Sequence, residues 1–216
     1  MGIYGQDWSS YQSAAPDTSG LAFAFTKVTE GLGYVNPEWA SQRDHAKANG
    51  LVWDGYHYPH MGNSVEAEAD YFLAQVAWKH GDLVVLDWEG YDAANQAVSY
   101  NDQRAYKESW LRYVKGKLPH NPVGVYCNTD YWRRIDTTGF YRDFLWIATA
   151  GLPAGRPGIR AAVAVPPVQR LRGGPGLLPS EQPARTAYVG IVVRSVAASS
   201  PIPKPFDRRK LDEEVR

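Results

Sequence analysis

The sequence predicts an α/β fold, a TIM-like (β/α) barrel with the last two strands divergent, incomplete or disordered. Three observations predict it. Apolar runs of strand length alternate with helical patterns over the first 150 residues, and polar or aromatic residues recur where these runs end. No glycine-rich phosphate loop follows any run, which disfavours the competing open doubly wound sheet.

Six short apolar runs are predicted to be strands because turn or helix signals bound each of them. They are residues 2–8, 22–28, 51–57, 82–89, 122–127 and 144–148. This leaves room for two further strands, as an eight-stranded barrel requires. Weak candidates for these two are residues 161–165 and 188–193.

Helical patterns separate several of the runs. The first is predicted to have Asn36 as its N-cap, Pro37 at its first helical position and Gly50 as its stop. The second, which ends at Gly81, and a third near residues 102–118 each place apolar residues on one face. These residues are Val65, Ala69, Phe72, Leu73 and Val76, then Tyr106, Trp110, Tyr113 and Val114.

The chain changes character near residue 150, which predicts two regions. All eight tryptophans lie between Trp8 and Trp146, whereas ten of the fifteen prolines lie in residues 151–216. The last 66 residues carry a net charge of +6 and the first 150 a net charge of −6. We assign strands one to six with their helices to residues 1–150. Residues 151–216 are an atypical Pro/Arg/Gly-rich segment that either completes the barrel or is an aberrant tail.

Composition excludes several classes of function. The 216 residues suit one core, and their zero net charge gives no reason to expect nucleic acid or a membrane as a partner. The N-terminus does not read as a signal peptide, and no apolar run is long enough to span a bilayer. His57 and His60 lack a third ligand and are separated by a proline, so no metal site is expected. We expect a monomer without a cofactor.

The fourth predicted strand ends in two carboxylates, in the stretch LVVLDWEG. Asp87 and Glu89 should face the same way, roughly 6.6 Å apart along the strand, while Trp88 points into the packing behind them. Two carboxylates at such a spacing suit glycoside hydrolysis, in which one donates a proton and the other stays charged. An exposed acidic strand end and a metal site are the alternatives.

The other predicted strands end in residues of similar character. Active-site residues of a (β/α) barrel lie at these strand ends, so the residues become candidates together. They are Asp7, Lys27, Glu30, Tyr56, His57, Tyr126 and Trp146. Lys27 and Glu30 could instead form a structural ion pair, and Trp146 could belong to the core.

Several segments resemble the glycoside hydrolase family 25 lysozymes, the Chalaropsis-type muramidases. The longest is FAFTKVTEGLGYVNPEWASQRDHAKANGLVWDGYHY, and DLVVLDWEG resembles the D-x-E strand of that family. ADYFLAQV, PVGVYCNTDYW and FLWIATAG match its later segments, so the resemblance covers roughly residues 1–150. It implies a phage or bacterial endolysin-like enzyme that cleaves the β-1,4 bond between N-acetylmuramic acid and N-acetylglucosamine in peptidoglycan.

The resemblance also implies roles for the candidate residues. Glu89 would be the general acid, Asp87 would assist the substrate N-acetyl group or a water, and Asp7 would be a third acidic residue. The substrate-binding residues would be Tyr56, Tyr126, Trp146, Lys27, Glu30 and His57. The partner would be peptidoglycan glycan at the bacterial cell wall, reached extracellularly or after phage release. The alternative is a non-catalytic or inactivated barrel that only binds this glycan.

The chain departs from the family after residue 150. The family completes its barrel with a W-x-x-Q-Y-like strand and a D-x-N-like strand, and neither motif occurs there. The abrupt gain of Arg, Pro, Gly and Ala suggests the hypothesis that the segment from about residue 160 arises from a shifted reading frame. Translation of the gene in its other two frames tests it, since one frame should then contain both missing strands.

Overall fold

The computed structural model describes residues 5–148, in which helices pack against one mostly parallel sheet. The elements in chain order are β1 (Gly5–Trp8), β2 (Phe23–Glu30), β3 (Tyr34–Val35), α1 (Trp39–Ala48), β4 (Val52–Tyr58), α2 (Val65–Gln75), β5 (Leu83–Asp87), α3 (Ala93–Gln96), α4 (Tyr100–Lys117), β6 (Val123–Asn128), α5 (Thr129–Ile135) and β7 (Phe144–Ala148).

The strand order is β1-β2-β4-β5-β6-β7, and every neighbouring pair in it is parallel. All six predicted strands are therefore confirmed in type and order, with ends that shift by a few residues. The short β3 was not predicted; it pairs antiparallel with the end of β2. Parallel strands joined by crossovers bring their carboxyl ends to one edge, where the candidate residues lie.

The sheet curls strongly. Phe25 on β2 and Trp146 on β7 are four strands apart in the sheet order, yet their rings stack with centroids 4.0 Å apart. Contact across the concave face is possible only if the two sides of the sheet bend toward each other. The described residues form a curled parallel half-barrel, while the positions predicted for strands seven and eight lie outside residues 5–148.

Alternation along the strands divides the apolar residues between two layers. Val84 and Leu86 pack outward against the helices, whereas Val85 packs on the concave face with Phe25 and Tyr56. Because strand side chains alternate, Asp87 shares the concave face with Val85. The outer layer is the larger and contains most of the tryptophans, including Trp88, Trp110 and Trp132.

The third predicted helix is confirmed close to its bounds as α4, but the first two are shorter than predicted. Helix α2 ends at Gln75, well before Gly81, because the backbone of Val76 is already extended. Helix α1 begins at Trp39 after Glu38, so Asn36 is not its N-cap. The Asn36 side chain instead accepts from the Glu38 amide and donates to the Lys27 carbonyl, which makes it a turn residue that ties the helix entry to β2. Among residues 5–148, none of the helices has the length and apolar character needed to cross a membrane.

Candidate active site

Three carboxyl groups meet at the carboxyl edge of the sheet. Asp7 comes from β1, Asp87 ends β5, and Glu89 follows two residues later. Asp7 and Asp87 are partly exposed, but each has one buried carboxyl oxygen, Oδ1, with no hydrogen-bond partner among residues 5–148. The edge therefore presents an acidic floor.

Trp88 anchors the acidic segment from behind. Its side chain is fully buried, its indole N–H donates to the Gln103 carbonyl at 3.0 Å, and its ring meets the edge of Tyr131 at 4.9 Å. Trp88 therefore packs behind the carboxylates, as its position in the sequence predicts. A fixed residue between Asp87 and Glu89 restricts both backbones and directs both side chains.

Asn128 orients Glu89, and sequence reasoning missed it. The Asn128 side-chain oxygen accepts from the Tyr131 amide at 2.8 Å, which caps helix α5. This leaves the Asn128 NH₂ group free to donate to Glu89 Oε2 at 3.3 Å. Its position directly before a helix at a strand end was the only signal in the sequence.

Burial and mutual repulsion set the protonation of the cluster. Burial raises the pKa of Asp7 to about 6, with repulsion from Glu89 adding to this and a hydrogen bond from Tyr56 opposing it. Burial also raises the pKa of Asp87 well above its ordinary range, and repulsion from Glu89 and Asp7 raises it further. Burial raises the pKa of Glu89, against the Asn128 hydrogen bond. Since Asp87 and Glu89 interact, they titrate as a pair that retains a proton above the usual carboxyl range.

Lys27 places a positive charge near this carboxyl cluster. It forms an ion pair with Glu30, and its ammonium group lies 5.1 Å from the centre of the Tyr58 ring. Its charge lowers the pKa of Asp7, Asp87 and Glu89. The alternative of a Lys27–Glu30 ion pair is therefore confirmed, and the lysine of this pair also acts on the carboxylates.

The predicted aromatic residues come together beside the carboxylates. Tyr56 donates its hydroxyl to Asp7, and Trp146 lies between Tyr56 and Tyr126 with ring centroids 6.3 Å and 4.4 Å away. Tyr126 is partly exposed, whereas Trp146 is 3% exposed. In residues 5–148, Trp146 thus supports the tyrosines from below, with its other face on Phe25.

His57 does not join the other candidates. It lies on the outer face of β4, fully buried, and its ring is parallel to Trp110 at 6.1 Å. Both ring nitrogens are bonded inside the protein, one to Thr29 and one to Glu68, each at 2.8 Å. Because side chains alternate along a strand, Tyr56 on the concave face requires its neighbour His57 to face the helices. A contact between His57 and substrate is therefore inconsistent with this placement.

A fourth carboxyl group, Asp54, lies deeper on the concave face and was not predicted. It is 2% exposed, and neither carboxyl oxygen has a hydrogen-bond partner among the described residues. In the sheet register Asp54 is opposite Phe25, which is opposite Asp7 on the next strand. Burial, then repulsion from Asp7 and Asp82, raises the pKa of Asp54 well above its ordinary range.

Replacement of Asp54 by Asn is expected to stabilise the fold by about 1–3 kcal/mol at pH 7, because an unpaired buried carboxyl is removed. The folded pKa lies above the unfolded value, so this carboxyl weakens the fold increasingly as pH rises from about 4. The gain should therefore be smallest below pH 4. Urea unfolding across pH measures it, with the exposed Asp44→Asn as control; a destabilised Asp54→Asn variant at pH 7 would contradict the prediction.

The described residues offer no alternative site for a metal. Within residues 5–148, no group of three or more His, Cys, Asp or Glu side chains is arranged to hold an ion. The arrangement brings carboxyl groups and aromatic surfaces to one edge, the kinds of group that glycoside hydrolysis uses.

Comparisons with known proteins agree with this fold. Residues 5–155 match the family model described as Glycosyl hydrolases family 25. An N,O-diacetylmuramidase from Chalaropsis sp is 32% identical over 147 residues, covering 60% of this chain and 68% of the relative. The E. coli protein YegX is 27% identical over 141 residues, and the match covers half of its length.

Solved structures give the same result. A muramidase from Acremonium alcalophilum superposes with a TM-score of 0.57 at 25% identity, covering 67% of this chain and 76% of that one. A lysozyme from Streptomyces coelicolor gives a TM-score of 0.57 at 23% identity, covering 68% and 74%, and so shows the shared fold. With the family match extending over more than half of its residues, the chain belongs to glycosyl hydrolases family 25 and is a glycoside hydrolase.

Proposed function

We propose that this protein is a muramidase that cleaves the β-1,4 bond between N-acetylmuramic acid and N-acetylglucosamine in peptidoglycan. The observation that carries the proposal is the convergence of Asp87 and Glu89 with Asp7 on one partly exposed strand edge. The relatives named as muramidases support the choice of bond. The proposal places the action at the bacterial cell wall, extracellularly or after phage release.

Glu89 is the proposed general acid. It lies beyond the end of β5, where the leaving oxygen can approach, and Asn128 holds one of its carboxyl oxygens. Burial raises its pKa and so favours the protonated form, which is the requirement for protonating the leaving group. Asn128 prevents free rotation of the carboxyl group, so the other oxygen can face the scissile bond.

Asp87 is the proposed partner of Glu89. It assists attack by the substrate N-acetyl group or positions a water, and it must be ionised when positive charge develops on the sugar. In the free protein burial favours its protonated form, so substrate binding and proton transfer to Glu89 must leave Asp87 charged. Asp7, hydrogen-bonded to Tyr56, adds negative charge nearby, and Lys27 limits the repulsion among the three groups.

The aromatic residues form the proposed sugar-binding wall. Tyr126 is exposed enough to pack on a pyranose face, Trp146 packs against it, and Tyr56 packs in turn against Trp146. Glu30, at the end of β2 and 3.6 Å from His60, is proposed to bind the sugar from the other side. This wall supplies binding, and the carboxyl cluster supplies the chemistry.

The second candidate function is binding of peptidoglycan glycan without hydrolysis. It is favoured by the missing acidic strand motif after residue 150. Turbidity clearing of purified cell walls separates the two functions. A muramidase also leaves N-acetylmuramic acid at the new reducing ends, identified after borohydride reduction. Wall binding without new reducing ends would refute the muramidase proposal and support the second function.

Replacement of Lys27 by Met should move the pH–activity profile upward by about 0.5–1 pH unit. The Lys27 charge lowers the pKa of Asp7, Asp87 and Glu89. Its loss therefore raises these three pKa values and moves the acidic and the basic side of the pH–activity profile to higher pH. Initial lysis rates from pH 4 to 8 measure the shift. The control is Lys117→Met, which removes the same charge from the exposed surface of α4. If the pH–activity profile of Lys27→Met did not move, the effect assigned to the Lys27 charge would be wrong.

A further inference from the structure

An exposed aromatic and cationic surface continues outward from Glu89. We call it the Tyr91 strip, defined by Tyr91, Arg134 and Tyr100. Tyr91 is 48% exposed and Tyr100 is 51% exposed, two of only four large hydrophobic side chains so exposed in residues 5–148. The exposed Arg134 guanidinium lies 6.0 Å from the centre of the Tyr100 ring and 5.8 Å from that of Tyr131, the ring that Tyr91 also contacts.

The strip is physically connected to the proposed general acid. The Asn128 NH₂ group lies 2.6 Å from the Tyr91 hydroxyl oxygen and 3.3 Å from Glu89 Oε2. Because the other end of the Asn128 amide caps α5, both contacts are made in one fixed orientation. Tyr91 and Glu89 are thus held beside each other by a single side chain.

Tyr91 is held in place although it is exposed. Its carbonyl accepts from the Gln96 side chain at 2.5 Å, and the next residue, Asp92, accepts a hydrogen bond from Tyr58 on β4. The Tyr91 ring also contacts Tyr131, with centroids 5.7 Å apart. Burying an already ordered ring against a ligand costs little conformational entropy, which makes Tyr91 suited to binding.

The position of the strip determines which part of a glycan it meets. Along one loop, Asp87 lies on the concave floor, Glu89 beyond it and Tyr91 furthest out. The proton of Glu89 goes to the glycosidic oxygen, and this oxygen departs with the leaving-group sugar. The surface that adjoins Glu89 on the side away from Asp87 therefore faces the leaving-group part of the strand.

Resting on the proposed function, we propose that the Tyr91 strip binds the leaving-group side of peptidoglycan. Tyr91 packs against the N-acetylglucosamine next to the scissile bond. Arg134 and Tyr100 then meet the following N-acetylmuramic acid, where Arg134 pairs with a carboxylate of its peptide stem. Asp130 is a nearby negative charge, exposed on the same helix, and it raises the pKa of the Tyr91 hydroxyl. Because Asp130 would repel a stem carboxylate, Arg134 is the residue that selects an acidic stem.

The test measures binding separately from catalysis. In a Glu89→Gln background, calorimetry compares peptidoglycan glycan strands of equal length with and without their peptide stems. Tyr91→Ala should weaken binding of both strands by roughly 3–10-fold, and Tyr91→Phe, which keeps the ring, should restore it. Arg134→Gln should weaken only the stem-bearing strand, by about 5-fold.

Matched controls come from the opposite end of α4. Tyr113→Ala and Arg112→Gln alter side chains that contact Asp70 and Glu108, about 18–20 Å along the helix from Tyr100, and should leave both affinities unchanged. Unchanged binding by Tyr91→Ala, or equal weakening of binding to both strands by Arg134→Gln, would refute the proposed role of the Tyr91 strip. Neither result would contradict the proposal that the protein is a muramidase. A wild-type chain that binds but does not lyse walls would instead refute the proposed function.

Discussion

Replacement of Glu89 by Gln should lower kcat by about 10²–10⁴-fold, because the amide cannot donate the proton that the leaving oxygen needs. Glutamine keeps the size of the side chain, and its oxygen can still accept the bond from Asn128. Binding to insoluble cell walls should therefore persist. Turbidity clearing and reducing-end release measure the loss, and a sedimentation assay with cell walls measures the retained binding.

The matched control is Glu66→Gln, an exposed carboxylate in the first turn of α2. It removes the same charge far from the sheet edge and should leave the rate unchanged. Circular dichroism confirms that both variants fold. If Glu89→Gln retained a rate within tenfold of the wild type, the role of Glu89 as general acid would be wrong.

Replacement of Lys107 by Met should destabilise the protein by about 3–5 kcal/mol. Lys107 is fully buried, with its ammonium group 4.7 Å from the ring centres of both Trp88 and Trp132. It forms an ion pair with Asp136, whose side chain is 4% exposed. Methionine fills the space between the rings but leaves the buried Asp136 carboxylate without its cation, which is the main source of the loss.

The double variant Lys107→Met/Asp136→Asn tests this explanation. With the charge removed on both sides, part of the stability should return, and urea unfolding of the single and double variants measures the coupling. Since Lys107 contacts Trp88, which separates Asp87 and Glu89, the single variant should also lose activity at temperatures where it remains folded. A loss below 1 kcal/mol for Lys107→Met would contradict the assigned ion pair.

Much of the proposed active site could be predicted from local pattern. Alternation along LVVLD places Val85 and Asp87 on one face, and the structure confirms this through the concave contacts of Val85. The same rule, applied consistently, excludes His57 from the face of Tyr56. A titratable ring at a strand end suggests a site residue, but the phase of His57 in β4 directs it to Thr29 and Glu68 instead.

Other residues could not be predicted because their roles depend on distant partners. Asn128 acts on Glu89 across 39 positions of sequence, and Lys107 meets Asp136 across 29. Asp54 is buried without a partner in residues 5–148 because the curled sheet, not the local sequence, determines what surrounds it. The helix start at Trp39 likewise depends on Asn36 reaching back to β2.

The sequence by itself determined the six parallel strands, their order along the chain, the family resemblance and the placement of Asp87 and Glu89 on either side of a Trp88 that packs behind them. These follow from side-chain periodicity and strand-end chemistry, which are local. Only the tertiary structure decided which of these side chains meet. The curl of the sheet brings Phe25 against Trp146, and the parallel crossovers bring Asn128 to Glu89. The protonation and orientation of the Glu89 carboxyl group therefore depend on burial and contacts that no short segment encodes.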